Sequence, residues 1–139
     1  MIFCYIFLLL GIDVFSVNAD VIETLQDITV IGKLTCGTKP ISGVQLQIWE
    51  KDPGNDPDDL INTAFSDAKG AFRIYGQEIE ATTIEPYLVT KHNCHNGAIN
   101  PNCTVIDEYT IPKEFVGKTY NMHTINLSTA GMSHIEKCE

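Results

Sequence analysis

Positive charge is the scarcest ingredient of this sequence. Its 139 residues hold 9 Lys and Arg against 18 Asp and Glu, a formal net charge of −9. A nucleic-acid binder needs a basic stripe to displace counterions from phosphates. A protein that coats anionic membranes through a polybasic segment needs the same, so both classes are excluded. Helical periodicity is missing too. No stretch repeats apolar residues every three or four positions, which limits helix to one short piece, at 58–63 or 112–117. Linkers, repeats and low-complexity tracts are absent, and the length suits one domain. There is no Gly-x-Ser-x-Gly elbow, no phosphate-cradling Gly-rich loop and no His-Glu-x-x-His pair. With 44% hydrophobic residues the chain has material for a core, which argues against wholesale disorder.

The only long apolar run is Met1 to Val17, which carries no Lys or Arg and ends in the small residues Val17-Asn18-Ala19. It reads as a secretory signal peptide, residues 1–19, cleaved after Ala19. Gly11 and Asp13 interrupt it, and it is short for a bilayer span, so the expected protein is soluble, extracellular and not transmembrane. Cleavage leaves a domain of residues 20–139 with four Cys. An even Cys count in an oxidising compartment implies two disulfides. Four Cys permit three connectivities. Cys94 and Cys103 bracket a short polar loop, so their pairing, with Cys36 joined to Cys138, is the expected one. His92 and His95 beside Cys94 also suggest zinc, but a structural site normally shows a second close Cys/His pair. A disulfide loop is the better reading, with no metal. Asn102-Cys103-Thr104 and Asn126-Leu127-Ser128 are glycosylation sequons.

Short alternating segments separated by turn chemistry indicate an all-β sandwich. Ile28, Val30, Gly32, Leu34 and Cys36 fall on one face of a strand, with Thr29, Lys33 and Thr35 opposite. Val44, Leu46 and Ile48 alternate with Gln45, Gln47 and Trp49. Asp67 to Gly70 forms a hairpin turn in which glycine supplies positive φ. Further strands are expected at Phe72 and Ile74, from Tyr87 to His92, at 105–111 and at 123–127.

These pieces occur in a recognisable order. Val30-x-Gly32-x-Leu34-x-Cys36-Gly37-x-Lys39-Pro40, Trp49-Glu50-Lys51-Asp52, Asp56-Pro57-Asp58-Asp59-Leu60 and Asp67-x-x-Gly70-x-Phe72 come first. Glu85-Pro86-Tyr87-Leu88, His92-x-Cys94, Ile111-Pro112, Asn126-Leu127 and Cys138 follow. From about residue 28 to 138 the chain resembles the nematode transthyretin-like family. The resemblance implies a secreted, transthyretin-like β-sandwich of about seven to nine strands with Greek-key connections. It implies a binding protein rather than an enzyme. One role it suggests is to bridge phosphatidylserine on dying cells to a cell-surface engulfment receptor. The alternative is a carrier of a small hydrophobic ligand, by analogy with transthyretin. A hydrolase comes third, because the His/Arg/His set and C-terminal Tyr-Arg-Gly-Ser of the related 5-hydroxyisourate hydrolases are lacking; this chain has one Arg, Arg73. The sequence departs from the family at Met122-His123-Thr124, where an acidic residue and a glycine are usual.

Two groups of residues are candidates for contact. Asp52, Asp56, Asp58 and Asp59 form the densest acidic stretch, which reads as a turn stabilised by Asp side chains or as a loop for Ca²⁺. Lys33 and Arg73 lie opposite the apolar stripes of their strands, and Trp49 alternates away from Leu46 and Ile48. They are the candidate contacts for an anionic head group or a protein partner. Edge strands of such a sandwich invite a homodimer.

Overall fold

The computed structural model describes residues 22–129 and 133–139; the signal peptide expected at 1–19 lies outside them. The alternating patterns do form strands, and tertiary pairing adds others that the patterns do not announce. In chain order these are β1 (Thr24–Cys36), β2 (Lys39–Pro40), β3 (Gln45–Glu50), β4 (Asp59–Phe65) and β5 (Ala71–Glu80). Then come β6 (Pro86–His92), β7 (Cys94–His95), β8 (Ala98–Ile99), β9 (Cys103–Thr110), β10 (Thr119–Asn126) and β11 (Ser133–Cys138). Three of these are two-residue pieces, so the longer strands among the described residues number eight.

One sheet runs β10-β1-β5, with β2 paired to the end of β1, and the other runs β11-β9-β6-β3-β4. The chain crosses between them repeatedly, so the inward faces of both sheets make one core. Its centre is Ile28, Val30 and Leu34 of β1, Leu46 and Ile48 of β3, Ile74 of β5 and Leu88 of β6, all at most 1% exposed. Burial at fully enclosed Leu or Ile side chains, about 1.5–3 kcal/mol each, is what holds the sheets face to face.

Among the described residues helix is confined to one 3₁₀ turn, Lys113–Phe115, inside the 112–117 stretch. The other place expected for helix, 58–63, is strand. Asp59–Phe65 is an edge strand that presents little of itself to the core, so it lacks a period-2 pattern and is recruited by pairing with β3. The turn at Gly70 is as expected, with φ +77. A Cβ there would meet the Leu34 carbonyl oxygen at 2.3 Å, so glycine is required for space as well as conformation.

The Cys pairing expected from sequence is corrected. Cys36 bonds to Cys94 and Cys103 to Cys138. The β7–β8 hairpin turns Cys94 into the core beside the end of β1, where Cys36 waits. Cys103 opens β9 directly across from Cys138 on β11.

The unusual Met122-His123-Thr124 sits where β10 runs parallel to β1 with a shift of register: Ile31 faces Asn121, but Lys33 faces Thr124. His123 there has φ +56, the left-handed region in which glycine alone pays no steric cost. His123→Gly is therefore expected to raise the unfolding free energy by about 0.5–1 kcal/mol in urea titration, despite glycine's more disordered unfolded state.

Candidate functional site

The inward stripe of β3 continues past its apolar residues. Leu46 and Ile48 are followed in the same alternation by Glu50, 4% exposed. Glu50 faces Asp59 of β4 on one side and Pro86 of β6 on the other. Asp52 follows β3, and Glu80 ends β5 in the opposite sheet. The four side chains converge at one end of the sandwich, with one carboxylate oxygen from each lying within 4.8 Å of all the others. Glu50 Oε2 is buried without a hydrogen-bond partner. Burial, the Asp52 carboxyl hydrogen-bonded to it, and the charges of Asp52, Glu80 and Asp59 push the Glu50 pKa up to about 8. Asp59 and Glu80 are raised as well, by desolvation first and by Asp52 next.

The acidic loop singled out from sequence is thus divided. Asp52 and Asp59 enter the cluster. Asp58 is held elsewhere: its Oδ1 accepts from the Asp52 backbone N–H at 3.2 Å and its Oδ2 from the Tyr87 hydroxyl at 2.5 Å. Asp56 is exposed. Glu50 and Glu80 were missed. The alternation itself carried the signal for Glu50, two places after Ile48; the placement of Glu80 depends on how the sheets meet.

The second feature is a basic sheet face. On adjacent strands Arg73 stands opposite Ile31 and Ala71 opposite Lys33, so the two cations are diagonal neighbours on the outer face of the β1–β5 pair. Both are exposed, and among the described residues neither makes an ion pair or a side-chain hydrogen bond. Beside Lys33 lies a shallow depression lined by Ile31, Asn121, His123 and Thr124. Trp49 is not part of it. It lies on the outer face of the other sheet between Leu60 and Tyr87, half-buried, with Nε1 donating to Gln47 Oε1 at 3.0 Å.

A third group lies on the inner face of that sheet. His92 Nδ1 accepts from the Cys94 backbone N–H at 2.9 Å. Its Nε2 therefore carries the proton and donates to Asp107 Oδ2, also at 2.9 Å. Asp107 is fully buried, and its Oδ1 meets His134 Nδ1 at 2.5 Å. Both nitrogens of His92 are occupied, and among the described residues no Ser, Thr or Cys side chain bonds to either imidazole. The set fastens β6, β9 and the edge strand β11 together. His95, Cys103 and Cys138 also approach one another, but the two sulfurs are bonded to each other and offer no thiolate. Of the sequons, Asn102 is exposed, while half-buried Asn126 uses Oδ1 to accept from the backbone N–H groups of Gly37 and Ser128.

Two facing sheets, two disulfides and, among the described residues, no helix beyond one turn define a disulfide-braced β-sandwich. Its sequence relatives narrow the class. Residues 31–112 match the Transthyretin-like family. Transthyretin-like protein 16 of Caenorhabditis elegans is 40% identical over 115 residues, covering 83% of this chain and 85% of its own. Transthyretin-like protein 46 of the same organism is 34% identical over 75% of this chain and 61% of its own. For Transthyretin-like protein 2 the figures are 35%, 80% and 81%. The chain belongs to the Transthyretin-like family. Among solved structures, a 9R-lipoxygenase from Cyanothece aligns at a TM-score of 0.43 and 25% identity, over 74% of this chain and 16% of its own, a likeness too slight to bear on function.

Proposed function

We propose that this is a secreted, extracellular binding protein that recognises an anionic phospholipid head group, phosphatidylserine, through the Lys33–Arg73 face, leaving other surfaces for a cell-surface receptor. The observation that supports it is the pair of unpaired, exposed cations on neighbouring strands of a chain with net charge −9. A phosphate attracts such a pair, with Arg offering a planar fork and Lys a point charge. The occupied nitrogens of His92 favour binding over hydrolysis, since a general base needs one nitrogen free for its nucleophile.

Cosedimentation with phosphatidylserine vesicles, against phosphatidylcholine vesicles, tests the reading. Selective pelleting is expected, weakening as salt rises. Lys33→Glu with Arg73→Glu is expected to reduce it about tenfold or more, roughly 1.4 kcal/mol. Pelleting that is absent, or unchanged in this variant, sinks the proposal.

One observation favours the carrier as a second reading. An open cleft of about 840 Å³ runs along Cys36–Val44, Lys91–Asn93 and Gly97–Ile99, with Pro40, Ile41, Val44 and Ile99 supplying apolar wall. Its size lies within the range of small-molecule sites. A carrier would take up a solvatochromic dye there, and Ile41→Asp would abolish the uptake.

A further inference from the structure

The four carboxylates at the end of the sandwich are an unusual thing to fold around. Glu50 is 4% exposed, one oxygen of its carboxyl group lies in the cluster, its Oε2 is buried without a hydrogen-bond partner, and it stands where the stripe Leu46-x-Ile48 leads one to expect an apolar side chain. A buried carboxylate is costly unless it is paired or bound to a metal. Among the described residues no Lys, Arg or His pairs with Glu50, Asp52, Asp59 or Glu80; the nearby Lys113 pairs with Glu85 instead, at 3.1 Å. We propose that Glu50, Asp52, Asp59 and Glu80 are the protein ligands of a calcium ion that ties the two sheets together at this end.

The donor set is all oxygen, which selects a hard cation. Calcium–oxygen distances of about 2.3–2.6 Å place opposed ligands roughly 4.6–5.2 Å apart, and the four carboxylate oxygens already lie within 4.8 Å of one another. The smaller Mg²⁺ would draw them closer and demand octahedral order. The remaining coordination positions fall to water, because Asp59 is exposed and Glu50 and Glu80 border an open recess, whose other charged walls are Lys51 and the Lys113–Glu85 pair. The ligands come from β3, the segment after it, the start of β4 and the end of β5, so the ion would bridge both sheets. The site is independent of the lipid reading. Glu80 lies seven residues along β5 from Arg73, about 23 Å at strand rise, too far for the ion to bridge a head group held by Arg73.

Calorimetric titration of the chelated, oxidised protein with CaCl₂, and separately with MgCl₂, tests it, alongside the thermal midpoint with and without each salt. One calcium per chain is expected, half-saturating on the order of 10⁻⁴–10⁻³ M, the range of extracellular modules. The midpoint should rise with calcium, and magnesium should bind more weakly. Glu50→Gln and Glu80→Gln, from opposite sheets, are each expected to weaken calcium at least about tenfold and to remove the rise. Asp56→Asn, in the same loop but outside the cluster, is expected to keep both. Should Glu50→Gln fail to fold, Glu80→Gln decides. The proposal is overturned by the absence of heat and midpoint shift up to the order of 10 mM. Calcium binding that survives both Gln variants, or that depends on Asp56, overturns it equally.

Discussion

Replacing Cys36 and Cys94 together by Ala is expected to lower the unfolding free energy by about 4 kcal/mol, on loop-closure entropy for a sequence separation of 58. The cost should not fall much below this, because both residues lie in the core, at 5% and 2% exposure, beside Leu34 and Val44. This bridge joins the end of β1 in one sheet to the β7 hairpin that follows β6 in the other, so it opposes separation of the layers. Cys103–Cys138 spans 35 residues and links strands already hydrogen-bonded in register. Its loss should fray the edge strand β11, most of which is exposed, and cost less. Urea unfolding of the two double variants measures the difference; equal costs would contradict it. The connectivity has a direct check. Trypsin followed by hydroxylamine cleavage at Asn96-Gly97 separates Cys94 from Cys103. The structure predicts that the peptide 92–96 stays linked to 34–51, and 97–113 to 138–139. The pairing first expected from sequence would instead link 92–96 to 97–113.

That expectation failed for an instructive reason. Nearness in sequence makes Cys94 and Cys103 look like partners, but the short β7–β8 hairpin between them leaves Cys94 against Cys36 at the end of β1 and Cys103 at the start of β9, across from Cys138. The β character of the fold was legible wherever one face is buried: Val44, Leu46 and Ile48, or Phe72 and Ile74, alternate because the core lies on one side. It was illegible at β4 and β11, edge strands whose exposed residues carry no period and whose structure is imposed by the neighbour they pair with. The basic face followed the same division. Alternation placed Lys33 and Arg73 outward, but only the β1–β5 register makes them neighbours. Of the acidic cluster, Asp52 and Asp59 stood out as a run of like charge. Glu50 was hidden by looking like the end of a strand, and Glu80 reaches the group only through the meeting of two sheets.

Glu50 also makes the stability of the calcium-free protein depend on pH in an uncommon direction. Most folded-state carboxylates are stabilised as anions, so proteins usually lose stability on acidification. Here burial, and then the hydrogen bond and charge of Asp52, hold Glu50 protonated to about 8 against an ordinary 4.5. Its contribution is then fully present below about 4.5 and is lost as pH rises through 8. Asp59 and Glu80, raised as well, act in the same sense. In chelator, urea unfolding is expected to show stability falling between pH 5 and 8.5 by about 2–4 kcal/mol, each unit of displacement being worth about 1.4 kcal/mol. Glu50→Gln keeps the shape of the protonated acid without its ionisation. It should match the parent near pH 5, exceed it at pH 8.5, and flatten the slope. A parent whose stability is level across this range, or a variant that is less stable at every pH, would show that Glu50 is ionised and compensated in the calcium-free fold. A side chain that merely filled space would tolerate this isosteric change with no difference at any pH. One holding an uncompensated charge gives a gain on the alkaline side only, and that gain is the signature of a carboxylate placed there for something other than packing.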